Sequence, residues 1–179
     1  MQATRGAAVT DTAGRGTPRR TVLVLATAVV VLVADVISKV AIVATMHEGE
    51  TVRLIGRLLR INYTRNAGAA FSIGTGATVL FTAVAVVVAV VIVRQSRHLV
   101  SRSWAVTLGL LLGGALGNLV DRLLRAPGPL RGHVVDWIEL PHWPVFNIAD
   151  SAIVVGGCIA VLLAARGVPF DPAAEREPS

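Results

Sequence analysis

The sequence predicts an all-α membrane protein in which four transmembrane helices carry a small extracytoplasmic β element. Three observations lead there. Hydrophobic residues make up 54% of the 179, and the mean hydropathy of +0.67 exceeds what a soluble core of that size needs. Those residues gather into four runs long enough to cross a bilayer, at about 21–44, 77–93, 104–124 and 147–165. Between the first two runs, Leu59-Arg60-Ile61-Asn62-Tyr63-Thr64 alternates apolar and polar, the period of a half-buried strand.

Charge and cysteine content narrow the class further. A net charge of +6 and a pI near 11.2 would suit a nucleic-acid binder, but the arginines are scattered among apolar segments without a basic stripe or interleaved aromatics. Lipid headgroups are their expected partners, and no nucleic acid is expected. The single Cys158 excludes an intramolecular disulfide and reads as a small buried hydrophobe within an apolar run.

Residues 1–20 lack the large apolar side chains needed to order themselves and read as a disordered cytoplasmic tail. Arg19 and Arg20 then precede a run too long for the apolar region of a cleaved signal, which makes it the first span with the N-terminus inside. Asp35, Ser38 and Lys39 share one face of that helix at i, i+3 and i+4. Two readings stand: a functional polar face, or a self-neutralising pair with Lys39 snorkelling outward. Residues 47–76 form the outer β element. Its Gly68-Ala69-Ala70-Phe71-Ser72 lacks the G-x-S-x-G pattern of a serine nucleophile.

The second span is almost pure Val and Ala with no polar face, and reads as scaffold. Arg94, Arg97 and Arg102 place the following loop inside. In the third span Gly109, Gly113 and Gly117 recur every four residues, a ridge that matches Ala152, Gly156, Ala160 and Ala164 of the fourth and predicts that those helices pack ridge to ridge. Gly114, Asn118, Asp121 and Arg122 lie on a neighbouring face, where the acid and the arginine read as polar contacts fixing the helix end. Residues 125–131, rich in Pro and Gly, are loop. The 166–179 tail returns the C-terminus to the cytoplasm.

The segment from Gly132 to Asp150 carries two acids, Asp136 and Asp150, beside a bilayer where an unpartnered carboxylate is costly. Asn147 suits an N-cap, and Asp150 at N3 would complement the helix dipole. That accounts for one acid and leaves Asp136. Two carboxylates in a low-dielectric site share a proton, so one can activate water on an amide carbonyl while the other acts as acid. Such chemistry needs no metal, cofactor or covalent intermediate. Two rivals remain: a metal site from His133, Asp136, His142 and Asp150, which lacks H-E-x-x-H, and a small transporter using Asp35, Lys39 and Asp121 as a relay. Spacing leaves open whether Asp121 or Asp136 partners Asp150.

Five ordered blocks bear on that choice. They are Asp35-Val36-Ile37-Ser38-Lys39, Asn62 to Ser72 (N-Y-T-R-N-A-G-A-A-F-S), Gly113 to Arg122 (G-G-A-L-G-N-L-V-D-R), Val134-Val135-Asp136-Trp137 and Phe146-Asn147-Ile148-Ala149-Asp150-Ser151. Together they resemble the signature of bacterial lipoprotein signal peptidase, signal peptidase II, over residues 21–165. The resemblance implies a monomeric, four-helix inner-membrane aspartyl endopeptidase with a small extracytoplasmic β-cradle, which removes the signal peptide from a prolipoprotein just before its diacylglyceryl-modified cysteine and is blocked by globomycin. It assigns the catalytic pair to Asp136 and Asp150, and supporting roles to Asp35, Lys39, Asn66, Gly114, Asn118, Asp121, Arg122, Asn147 and Ala149. Two departures concern the substrate's lipid groove: a longer 125–131 loop, and Trp137 in place of the commoner Phe.

Overall fold

A computed structural model describes residues 18–68 and 74–170. The N-terminal tail up to residue 17, residues 69–73 of the second signature block, and the C-terminal tail from residue 171 lie outside the described residues. The elements run α1 (Pro18–Thr45), β1 (Thr51–Ile55), β2 (Leu59–Asn66), α2 (Gly74–Gln95), α3 (Arg102–Leu124), β3 (Val134–Glu139) and α4 (Ile148–Ala165). All four helices are long and apolar enough to cross a membrane. Their outward residues are hydrocarbon, as at Val30 (68% exposed) and Val161 (71%), which suits lipid and not water.

Helix α3 is the centre of the bundle. Half of its apolar window is buried, against 22%, 18% and 22% in α1, α2 and α4. Helices α3 and α4 do pack together, but not ridge to ridge. The glycine row turns mainly to α1: a Cβ on Gly109 would fall 2.5 Å from Thr27 Cβ, and one on Gly113 2.7 Å from the Ala28 carbonyl oxygen, while Gly117 lies between Asp35 of α1 and Ala149 of α4. Contact with α4 uses the neighbouring row, where Gly114 meets the Ala149 carbonyl oxygen and Gly156 meets Leu111. Ala164, at the far end of the α4 row, is exposed. Small residues state that a backbone comes close; they do not state whose. Gly113→Leu should therefore separate α1 from α3 and lower stability by about 3 kcal/mol, the upper range for overpacking a tight contact. Thermal unfolding in detergent measures this, and an unchanged midpoint would contradict the packing.

Two further expectations are corrected. Cys158 is exposed on the outer surface of α4, because its position on the helix turns away from α3. Helix α2 does have a polar side: Thr78 and Thr82 are buried, the Thr78 hydroxyl donates to the Ala67 carbonyl, and the Thr82 hydroxyl lies 2.8 Å from the Thr78 carbonyl oxygen and 3.2 Å from that of Leu130. Those bonds tie α2 to the loops beside the sheet. At the opposite end of the bundle, Gly167 adopts φ 63° where α4 stops, and its N–H donates to the Ala164 carbonyl. Glycine takes that left-handed conformation without a Cβ penalty.

The three strands form one antiparallel sheet in the order β1-β2-β3. Strand β2 matches the alternating stretch in the sequence. Strand β3 was not anticipated, because V-V-D-W-I-E lacks period-2 alternation; its β-branched content was the available signal. Asp136 pairs with Thr64 across β2–β3. Beyond β3 the chain folds back, with Trp137 and Ile138 N–H both donating to the Phe146 carbonyl, so Asn147 and α4 start beside the strand. Buried Tyr63 and Val135 pack on Ile42 of α1 and seat the sheet on the end of that helix. The sheet elements follow α1 and α3, two crossings apart, so they lie on one membrane face.

Candidate active site

At that face α1, β2, α3, β3 and the start of α4 converge. Asn147 is the N-cap of α4: its Oδ1 accepts from the Asp150 N–H at 2.9 Å, and Asp150 Oδ2 accepts from the Asn147 N–H at 3.3 Å. The capping role expected of Asp150 is therefore real. It also leaves the amide nitrogen of Asn147 free to point across to β3, where it donates to Asp136 Oδ1 at 2.7 Å. Asn66, at the end of β2, donates to Asp136 Oδ2 at 2.9 Å. Asn118 of α3 donates to Asp150 Oδ1 at 2.7 Å and accepts from Asn147 at 3.2 Å. Three asparagines thus fix the two carboxylates, with Asn147 touching both.

A second tier lies beneath. Lys39 does not snorkel; it is 1% exposed and reaches Asp35 Oδ2 at 2.7 Å, Asp121 Oδ2 at 2.9 Å and Asn118 Oδ1 at 3.1 Å. Snorkelling is unfavourable because it would leave Asp35 buried without its cation and Asp121 with Arg125 alone. Each carboxylate also holds a backbone N–H next to one of the upper aspartates. Asp35 Oδ1 accepts from Ala149 N–H at 2.9 Å, and Asp121 Oδ2 from Val135 N–H at 3.1 Å. Arg125, read from the sequence only as loop, pairs with Asp121. Arg122 is half-buried and within electrostatic reach of Asp150, Asp136 and Asp121.

The two upper acids differ in setting. Asp136 is 2% exposed, whereas Asp150 is partly open. Burial, with a smaller contribution from the charge of Asp150, pushes the Asp136 carboxyl up to about 6, against the lowering effect of the Asn66 and Asn147 hydrogen bonds. All eleven positions singled out in the sequence are brought into this one cluster. Gly114 contributes by having no side chain: a Cβ there would lie 2.5 Å from the Ala149 carbonyl oxygen and push α4 off α3. Ala149 contributes its N–H. Among the described residues no group of three His, Cys, Asp or Glu side chains able to hold a metal occurs, so His133 and His142 form no such group with Asp136 and Asp150.

The family model for signal peptidase (SPase) II matches residues 27–166. The chain belongs to that family. It is 48% identical over 159 residues to the lipoprotein signal peptidase of Mycobacterium tuberculosis H37Rv, covering 89% of this chain and 79% of the relative. To that of Rhodococcus jostii it is 50% identical over 155 residues, covering 87% and 78%. Two solved structures described as bacterial membrane enzymes share its fold. One has a TM-score of 0.70 at 26% identity, covering 93% of this chain and 97% of the other. The second has a TM-score of 0.71 at 29%, covering 84% and 96%. Membership in signal peptidase II makes the chain a peptidase of the bacterial membrane, and the matched span contains the whole cluster gathered around Asn147.

Proposed function

We propose that this chain removes the signal peptide from prolipoproteins on the N-terminal side of a diacylglyceryl-modified cysteine, using Asp136 and Asp150 as an aspartyl dyad. The observation that carries the reading is Asn147, which caps Asp150 and donates to Asp136 and so holds two carboxylates at one spot on the membrane face. Asp150, more open, takes a proton from water as the resulting hydroxide attacks the scissile carbonyl carbon. Asp136 gives its proton to the carbonyl oxygen, forming a neutral gem-diol. Asp150 then passes its proton to the leaving nitrogen while Asp136 takes one back from a gem-diol hydroxyl, the C–N bond breaks, and the dyad is restored.

A groove of about 260 Å³, lined by Val88, Leu111 and Ile153, offers an apolar seat between α2 and α4 and reaches Arg122 and Asn118, the residue that donates to Asp150. It suits a hydrophobic signal segment or its lipid. With both termini in the cytoplasm, the sheet and dyad face outward, where exported prolipoproteins arrive. A fluorescent-protein fusion at the C-terminus should fluoresce and an alkaline phosphatase fusion there should be inactive; the reverse pattern would invert the orientation.

The expected test is cleavage of a diacylglyceryl-modified prolipoprotein by the purified protein, insensitive to chelators and blocked by globomycin. Chelator loss of activity would favour the metal reading, and ion flux in liposomes without proteolysis the transporter. The pH dependence follows from Asp136. Its proton is held below about 6 and lost above it, so kcat/KM should fall as pH rises through that value. Asn66→Ala removes a hydrogen bond that favours the ionised form, so the limb should move to higher pH. A limb that stays in place would detach Asp136 from the acid role.

A further inference from the structure

We propose that the β1–β2 hairpin carries a site for the phosphate of an anionic phospholipid, formed by Arg53 and Arg57 beside Arg60 and His142. These four residues line a cavity of about 390 Å³ on the side of the sheet's β1–β2 end. Arg53 stands directly opposite Arg60 across the strand pair. Like charges in that position destabilise a sheet unless something neutralises them. Arg60 is taken up by Glu139, its partner on β3, while Glu48 lies beside Arg65 and Glu50 accepts from the His47 N–H. Arg53 and Arg57 are exposed and have no carboxylate partner among the described residues. Guanidinium groups converging on one cavity without a counter-ion complement a phosphate, which can accept from both.

The surroundings point to a phosphate attached to lipid. Leu54 and Leu58, each adjacent in sequence to one of the free arginines, are 54% and 67% exposed, and Trp143 beside His142 is 60% exposed. Water is a poor solvent for that edge. The sheet is seated through Tyr63 and Ile42 on the end of α1, a helix long enough to cross the membrane, so the hairpin extends from the end of a span. Exposed leucines to enter the acyl boundary, arginines to meet phosphates and an exposed tryptophan next to His142 are the side chains an interfacial element requires. The site is separate from the dyad and its supporting residues, so it would anchor and orient the hairpin beside the active site without taking part in the reaction.

A photo-crosslinking amino acid in place of Leu58 tests this in the full chain, reconstituted in nanodiscs of phosphatidylcholine with a minor fraction of phosphatidylglycerol. Crosslinked lipid, identified by mass spectrometry, should be enriched in phosphatidylglycerol about fivefold over its share of the bilayer, the factor one arginine near an anionic surface supplies. Arg53→Gln with Arg57→Gln should abolish the enrichment while detergent activity and melting temperature stay unchanged. Crosslinking in proportion to bilayer composition, or enrichment that survives the double variant, would overturn the proposal. So would loss of enrichment on adding millimolar glycerol phosphate, which would assign the site to a soluble phosphate. A raised KM for prolipoprotein with lipid enrichment intact in the double variant would assign these arginines to the substrate peptide and overturn it too.

Discussion

Replacing Asp136 or Asp150 with asparagine is expected to lower cleavage of a lipidated prolipoprotein by about a thousandfold or more, the loss that follows when a positioned acid or base is removed. The substitution is nearly isosteric but not silent. Both Asp136 oxygens accept from amide nitrogens, Asn147 at one and Asn66 at the other, and an asparagine can accept at only one of them. Asp150 is placed likewise between Asn118 and the Asn147 N–H. Each variant therefore loses about one hydrogen bond and about 1–3 kcal/mol, too little to unfold the bundle. Melting in detergent alongside the cleavage assay separates the two effects. Full activity in either variant would remove that aspartate from the dyad, and the same variant at Asp121 supplies the comparison that spacing alone left open.

The second large effect is expected at Lys39. Lys39→Met leaves Asp35 and Asp121 buried without the cation that lies between them, and the cost of such a break is about 3–5 kcal/mol. The consequence extends beyond stability. Those two carboxylates hold the N–H groups of Ala149 and Val135, each one residue before a dyad aspartate, so their relaxation shifts Asp150 and Asp136 against each other. Activity should fall with the melting temperature. A neutral triple variant, Asp35→Asn, Lys39→Met and Asp121→Asn, keeps oxygens able to accept from both N–H groups and should recover much of the stability. If the single Lys39→Met protein melts like the wild type, the lysine is not the support described.

The sequence by itself determined the spans, the class and the family. Runs of apolar residues are countable, and the blocks around Asp35, Asn66, Asn118, Asp136 and Asp150 are ordered text. It also determined the cap of α4, since Asn147 and Asp150 are three residues apart and a helix start is a local event. What the tertiary structure decided is everything that depends on a neighbour distant in the chain. The ridge of Gly109 and Gly113 announced a close approach, and the fold assigned it to α1. Lys39 had a carboxylate four residues away in its own helix, and only the arrival of Asp121 from α3 makes burial of its charge tolerable. The face of α4 that carries Cys158 is apolar either way; packing decided that it turns outward from the bundle. Strand β3 has no period of its own and forms because β2 offers it an edge, which is how Asp136 comes to lie within reach of Asn147. Periodicity records which side of an element is apolar or small, but the identity of the partner is a long-range property, set when the burial of each surface is settled against all the others at once.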